Sequence, residues 1–77
     1  MGLQSRIEAA APGLAPAMRR IAEALRQNPA IVLEQTISEL AASCDTSVAS
    51  VVRFCRALGL SGYAELRMAL ATEIGKE

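Results

Sequence analysis

The segment of residues 36–62 constrains the fold more than any other part of this sequence, because it contains the start and stop signals of two short helices. Thr36 and Glu39 have the Ser/Thr-x-x-Glu spacing of a capping box, which marks a helix N-terminus. Small and apolar residues then repeat at helical spacing and predict one buried side: Leu40, Ala41 and Cys44. Asp45 stands where a tight turn needs a positive φ, which Asp tolerates better than most residues. The segment therefore begins with a predicted helix of about two turns, followed by a tight turn.

A second helix start follows at Ser47, a residue type that is favoured at the N-cap. Residues at positions i, i+3, i+4 and i+7 predict its inward face: Val51, Phe54, Cys55 and Leu58. Gly59 occupies the position at which a left-handed C′ residue ends a helix. Two short helices that cross closely need a small residue at the crossing, and Ala41 supplies it. The segment therefore predicts a helix-turn-helix.

The outward face of the second helix is small and polar at its beginning and basic further along. A helix of this kind can enter the major groove of DNA, because short side chains let its backbone approach and arginines reach guanine edges or phosphates. The residues that we expect nearest to base edges are Ser47, Ala49, Ser50 and Arg53, with Val48 exposed beside them at the helix N-terminus. A solvated helix face that carries two ordinary arginines is the alternative interpretation.

Contacts to the DNA backbone are expected from the end of this helix and the start of the next one: Arg56, Ser61, Gly62 and Tyr63. Gly62 has no side chain to block the N-terminus of a final helix over residues 62–74, whose N–H groups suit a phosphate. Ser61 is predicted to cap that helix. The hydroxyl of Tyr63 could add a contact, although a core ring is an equal alternative.

The string SVASVVRFCRALGLSGYAEL at residues 47–66 resembles the signature of the RpiR family of bacterial transcriptional regulators. In that family a Ser-x-Ala-[Ser/Thr]-Val-Val-Arg-Phe-Cys-[Arg/Lys]-x-Leu-Gly core precedes Gly-[Phe/Tyr]-x-Glu-[Leu/Phe]. The upstream apolar run and TISELA at residues 36–41 extend the resemblance to about residues 14–72. Asp45 and Thr46 stand where the family usually has glycine and an apolar residue.

The resemblance implies an N-terminal DNA-binding domain whose partner is double-stranded DNA, in a regulator of sugar or phosphosugar metabolism genes. Family members carry a second, sugar-isomerase-like domain that senses phosphosugars and helps to dimerise the protein. That domain is absent from this sequence, so we expect a single domain over residues 1–77, with its core at about 14–74, from a longer regulator. A homodimer is expected of the full-length protein, and a phosphosugar effector only through the missing C-terminal domain.

The composition fits a small helical bundle. Hydrophobic residues make up 52% of the chain, yet its aromatic residues are Phe54 and Tyr63, so the core must be aliphatic and rich in alanine. We predict an all-α, homeodomain-like helix-turn-helix bundle of about five helices. The net charge of +0 argues against a strongly cationic nucleic-acid binder, although residues 47–67 contain three arginines and one glutamate. We therefore expect modest, salt-sensitive DNA affinity from the isolated domain and useful affinity from a dimer.

The other segments predict further helices. Three residues give residues 3–10 one apolar face, which could pack on the domain or on a partner protomer: Leu3, Ile7 and Ala10. Pro16 can open the next helix, and Pro29 ends that helix at Asn28 and can itself begin a short helix through residues 31–33. The predicted buried stripe of the helix after Pro16 is Met18, Ile21, Ala22 and Leu25. The final helix is predicted to bury Tyr63, Leu66, Leu70 and Ile74, with Met68 and Ala69 filling beside them.

The sequence offers no convincing residues for catalysis or metal binding. It contains no histidine, and Cys44 and Cys55 fall on predicted buried faces as reduced thiols, which is consistent with a cytosolic protein. We therefore expect no enzyme activity, no metal and no cofactor; a fragment of a phosphosugar-handling enzyme is one alternative. A helical interaction module that uses residues 31–33, or the face with Leu3 and Ile7, is the other alternative. No run is apolar enough to span a membrane and the N-terminus lacks a signal-peptide layout, so we expect a cytoplasmic protein without a membrane partner.

Overall fold

The computed structural model describes residues 2–75, which form six α-helices and one 3-10 turn. The helices are α1 (Leu3–Ala10), α2 (Pro16–Gln27), α3 (Ile31–Glu34), α4 (Ile37–Ser43), α5 (Val48–Ala57) and α6 (Tyr63–Gly75), and the 3-10 turn is Ala11–Gly13. The predicted all-α helix-turn-helix bundle is confirmed. The described part has six helices where about five were expected, and one of these, α3, is a single turn. Met1, Lys76 and Glu77, at the two ends of the predicted domain, lie outside the described residues.

The core lies where the six helices meet, and each helix contributes at least one side chain with 0% exposure. These side chains include Ile7, Ile21, Val32, Leu40, Phe54 and Leu66. The inward stripe that was predicted for α5 is confirmed, because Val51, Phe54, Cys55 and Leu58 are all buried. Phe54 is the largest fully buried residue, and the side chains around it are mostly aliphatic, as the low aromatic content predicted.

Helix α1 packs on its own chain, against α2 and α6. Leu3 and Ile7 are buried, and the Nε2 of Gln4 donates a hydrogen bond to the carbonyl of Leu25 in the last turn of α2, at 3.0 Å. An ion pair of 3.5 Å between Glu8 and Arg26 adds a contact at the surface. Of the two placements that the sequence left open for this segment, the structure shows the one on the domain.

The predicted helix boundaries hold for α1 and α2 and shift for α3 and α6. Pro16 is the first residue of α2 and Asn28 is its C-cap, as expected. Helix α3 begins two residues after Pro29, and α6 begins one residue after Gly62. Met68 was predicted to fill beside the core, but its side chain is 72% exposed. Among residues 2–75, no helix combines the length and the apolar character that crossing a bilayer requires.

Candidate nucleic-acid interface

Helix α4 begins with the predicted capping box. The Oγ1 of Thr36 accepts a hydrogen bond from the backbone N–H of Glu39 at 3.1 Å, and a carboxylate oxygen of Glu39 accepts one from the N–H of Thr36 at 2.8 Å. These two bonds satisfy donors that the helix itself cannot pair. The start of α4 is therefore fixed by its own sequence, and its Leu40 and Ala41 are buried against the rest of the domain.

The turn between α4 and α5 has the positive φ that was predicted at Asp45, with a value of 53°. The N–H of Asp45 donates to the carbonyl of Ala42 at 3.1 Å, and the N–H of Thr46 donates to the carbonyl of Ala41 at 2.9 Å. These bonds form a Schellman motif, which ends α4 sharply. An aspartate thus adopts the left-handed conformation here without a glycine.

Helix α5 begins at the predicted N-cap, Ser47, whose hydroxyl oxygen accepts from the N–H of Ser50 at 3.2 Å. The prediction that Ser50 lies on the outward face is wrong, because its side chain is only 7% exposed. Ser50 lies one turn before Phe54, so it shares the inward stripe, and its hydroxyl lies 3.2 Å from that of Ser47. Ser50 therefore lies beside the N-cap on the covered side of α5 and is not part of its outward face.

The outward face of α5 is free of other parts of the domain. The exposed residues at its N-terminus and along its length are Ser47, Val48, Ala49, Arg53, Arg56 and Ala57. Val48 is 41% exposed although it is apolar. Within residues 2–75, neither Arg53 nor Arg56 makes an ion pair or a side-chain hydrogen bond, so both guanidinium groups keep their donors for a ligand.

Helix α5 ends as the sequence predicted. Gly59 has a φ of 83°, its N–H donates to the carbonyl of Arg56 at 2.9 Å, and the N–H of Leu60 donates to the carbonyl of Cys55 at 3.0 Å. This second Schellman motif turns the chain toward α6. Helix α5 therefore has a defined stop as well as a defined start.

The start of α6 differs in detail from the prediction for Ser61. Gly62, which immediately precedes α6, accepts from the N–H of Leu66 at 3.2 Å, so it holds the position where Ser61 was expected to cap the helix. Ser61 is exposed and donates to a carboxylate oxygen of Glu65 at 2.7 Å. A Cβ built at Gly62 would meet no atom within 4 Å. The helix N-terminus is therefore open, as the sequence suggested.

Tyr63 is a structural residue. Its ring is half-buried, and its hydroxyl donates to the carbonyl of Gln35 at 2.8 Å. A phenol has one proton to donate, and here the carbonyl of Gln35 accepts it, which favours the alternative of a packed ring over a contact from this hydroxyl to a phosphate. Burial raises the pKa of Tyr63, and the charge of Arg67 opposes that rise. The tyrosine links the start of α6 to the chain between α3 and α4.

Two arginines that the sequence did not single out contact the helix-turn-helix from behind. The Nε and Nη2 atoms of Arg20, on α2, donate to the carbonyls of Cys44 and Asp45 in the turn, each at 2.9 Å. Arg6, on α1, donates to the carbonyl of Leu58 at the end of α5. Helical periodicity places both arginines on outer faces, so the sequence carries no signal that they bind main-chain oxygens.

The two cysteines are buried and unpaired, as predicted. Burial raises the pKa of the Cys44 thiol, although the charge of Arg20 acts in the opposite direction, and burial raises the pKa of Cys55 to about 11. Both thiols are therefore protonated near neutral pH. Among residues 2–75, no cluster of three or more potential ligands that could hold a metal ion is present.

Two short helices joined by a tight turn, the second with a free outward face, define a helix-turn-helix DNA-binding domain. The model of a protein family described as the helix-turn-helix domain of the rpiR family matches residues 1–77, and the chain belongs to that family. It is a DNA-binding domain of the kind found in transcriptional regulators, as the resemblance implied.

Curated relatives and solved structures agree with this assignment. The chain is 44% identical over 62 residues to the HTH-type transcriptional regulator TTE0211 of Caldanaerobacter subterraneus, and 35% identical over 63 residues to YbbH of Bacillus subtilis. These matches cover 80% and 82% of this chain but only 22% of each relative. The N-terminal domain of ybbH superposes with a TM-score of 0.85 at 32% identity, covering 92% of this chain and 87% of that one.

A second structure, the Vibrio vulnificus NanR protein complexed with ManNAc-6P, superposes with a TM-score of 0.92 at 36% identity. The likeness covers 97% of this chain and 29% of that chain. The bifunctional protein glk of Paraburkholderia xenovorans is 36% identical over 67 residues, which are 87% of this chain and 10% of the relative. The chain thus corresponds to a small part of each of these longer proteins.

Proposed function

We propose that the domain binds double-stranded DNA in a sequence-specific manner, with α5 in the major groove. The observation that carries this proposal is the contrast between the two faces of α5. Its inward face is fully packed, with Val51, Phe54 and Cys55 at 0% exposure. Its outward face is exposed, and the donors of Arg53 and Arg56 have no partner within residues 2–75. A recognition helix needs such a face, because its side chains must reach base edges.

The base-reading set that we propose is smaller than the sequence suggested. It consists of Ser47, Val48, Ala49 and Arg53, since Ser50 is buried. Arg53 suits guanine, whose two acceptors a guanidinium can bind together, and the exposed methyl groups of Val48 suit the methyl of thymine. Ala49 is short enough to let the helix backbone approach the base pairs. Arg56, further along the helix, is proposed to bind a phosphate.

A phosphate anchor at the start of α6 is the second part of the proposal. The Ser61 hydroxyl already donates to Glu65, but the 13-residue helix begins there with N–H groups that it cannot pair itself, and Gly62 leaves the approach to them open. Such groups bind phosphate and fix the register of the protein on the duplex without reading sequence. Together with Arg56, this anchor would make affinity fall as salt rises.

Regulation by a sugar is proposed for the whole protein, of which this chain is a part. The NanR structure contains ManNAc-6P, and most of that chain lies outside the region of likeness. We propose that the full-length protein is a homodimer, and that a C-terminal domain binds a phosphosugar and controls genes of sugar or phosphosugar metabolism. The domain described here then acts by binding alone, without catalysis, in the cytoplasm where the DNA is.

The proposal can be tested by selecting bound sequences from a pool of random duplexes and measuring affinity for the selected duplex. We expect Arg53→Ala to weaken binding by about tenfold, the size of one lost base contact, with an unchanged thermal midpoint because Arg53 is exposed. Arg26→Ala is the matched control, since it removes the same charge from the last turn of α2, where Arg26 pairs with Glu23.

Two results would contradict the proposal. Equal affinities of wild type and Arg53→Ala for the selected duplex would remove Arg53 from the interface. A domain that selects no sequence, and instead binds a protein partner with an affinity that salt does not reduce, would favour the interaction-module alternative. That alternative now has less surface to use, because Leu3, Ile7 and Val32 are buried in the core.

A further inference from the structure

Guanidinium groups from α1 and α2 bind main-chain carbonyls just before and just after α5. At the front end, Arg20 of α2 donates from Nε to the carbonyl of Cys44 and from Nη2 to the carbonyl of Asp45, both at 2.9 Å. At the far end, Arg6 of α1 donates to the carbonyl of Leu58, the C-cap of α5. Main-chain oxygens on both sides of α5, in the turn before it and at its C-cap, are thus bonded to arginines of α2 and α1.

These carbonyls have no other donor within the described chain. The N–H groups of the turn bond back to Ala41 and Ala42, so no backbone N–H of residues 2–75 donates to the carbonyl of Cys44 or Asp45. Carbonyls past the end of a helix are left without partners by the helix itself and must be satisfied from outside. Arg20 supplies both missing donors from one planar group, and a hydrogen bond from a charged donor is stronger than a neutral one.

The position of the turn decides the direction of α5. Asp45 is in the left-handed conformation, with a φ of 53°, and the N-cap Ser47 follows two residues later. A rotation at Asp45 would therefore swing the N-terminus of α5, which carries the proposed base-reading residues. Arg20 bonds to Asp45 itself and to Cys44 before it, so it resists this rotation.

We infer that Arg20 is a positioning residue for DNA recognition: it sets the angle at which α5 leaves the turn, with Arg6 holding the other end. This inference rests on the proposed function, in which α5 reads bases. It assigns a role in specificity to a residue that contacts no DNA. An arginine is required because the two bonds come from two different nitrogens in a fixed fork, whereas lysine has a single nitrogen on a flexible stem.

The test compares Arg20→Lys and Arg20→Ala with the wild-type domain on the selected duplex and on a random duplex. We expect both variants to bind the selected duplex roughly tenfold more weakly, the size of one misaligned base contact, while binding to the random duplex stays within about twofold. The slope of log affinity against log salt should stay unchanged in both, because no phosphate contact is lost. The amide resonances of Thr46 and Ser47 should shift in the free variants.

Controls separate positioning from folding. Arg19→Lys changes the neighbouring residue, which donates to the carbonyl of Leu14 and lies away from the turn, and it should bind as wild type does. Circular dichroism at the assay temperature must show each variant fully helical. If Arg20→Ala is partly unfolded at the assay temperature, the affinity of Arg20→Lys for the selected duplex is compared with that of wild type at a lower temperature. Lysine keeps the charge and most of the stem, so this variant should stay folded.

Failure of this inference can be told apart from failure of the proposed function. If Arg53→Ala weakens specific binding and Arg20→Lys does not, α5 reads DNA but Arg20 does not position it. If Arg20→Ala lowers the salt slope by about 1 and Arg20→Lys restores it, Arg20 binds a phosphate directly and the inference is overturned. If Arg53→Ala has no effect on specific binding, the proposed function fails first.

Discussion

Removing the hydroxyl of Tyr63 tests how the start of α6 is attached to the helix-turn-helix. In Tyr63→Phe the 2.8 Å bond to the carbonyl of Gln35 is lost, while the ring and its packing remain. A neutral hydrogen bond of this kind contributes about 1 kcal/mol to stability. For a domain of this size, that loss lowers the thermal midpoint by about 4 to 8 °C. We expect a decrease of that size, from the loss of a single oxygen atom.

The same variant discriminates between the two roles that the sequence allowed for Tyr63. Thermal unfolding is followed by circular dichroism, and affinity for the selected duplex is measured at a temperature where both proteins are folded. We expect the DNA affinity and its salt slope to be unchanged, because the hydroxyl proton is already donated within the domain. A midpoint within about 1 °C of wild type, or a reduced salt slope, would refute this reasoning and return Tyr63 to the DNA interface.

Two further predictions concern the core. Phe54→Ala should lower the free energy of unfolding by about 3 to 5 kcal/mol, because the ring has 0% exposure. Urea titration measures this free energy. A loss below about 1 kcal/mol would mean that the site collapses around the smaller side chain. Burial raises the pKa of Cys55 from 9.0 to about 11, so the folded state holds the thiol proton more tightly than the unfolded state does. The stability that Cys55 contributes in this way is therefore fully present below pH 9 and is lost as pH rises toward 11, by on the order of 2 kcal/mol. Cys55→Ala should decline less over that interval, and equal declines would contradict the assignment.

The helix-turn-helix could be predicted from the sequence because its signals are local. The capping box at Thr36, the N-cap at Ser47 and the glycine at position 59 each act on backbone groups within a few residues, and each was found where expected. The turn at Asp45 was predicted for the same reason. The inward stripe of α5 followed from periodicity, since four residues at helical spacing have one face in common.

The errors arose where the contacts are not local, or where two helix faces meet. Ser50 lies at the edge of the inward stripe, and only the packing of α5 on the other helices shows that it is covered. Tyr63 bonds to Gln35, and Arg20 bonds to Cys44 and Asp45, across more than 20 positions of sequence. No spacing rule connects such residues, because the acceptors are main-chain carbonyls, which look alike at every position.

Because Arg6 and Arg20 bind main-chain carbonyls, the DNA sequence that this domain prefers can change while these bonds are kept. Every amino acid carries the same carbonyl, so the bonds from Arg6 and Arg20 survive replacement of the side chains at Leu58, Cys44 and Asp45, provided that the backbone path is kept. The side chains of Val48, Ala49 and Arg53 make no hydrogen bond or ion pair within residues 2–75, so they can be exchanged without breaking these bonds. A library randomised at Val48, Ala49 and Arg53 should therefore yield many folded domains with altered sequence preference, all holding their reading helix at the same angle.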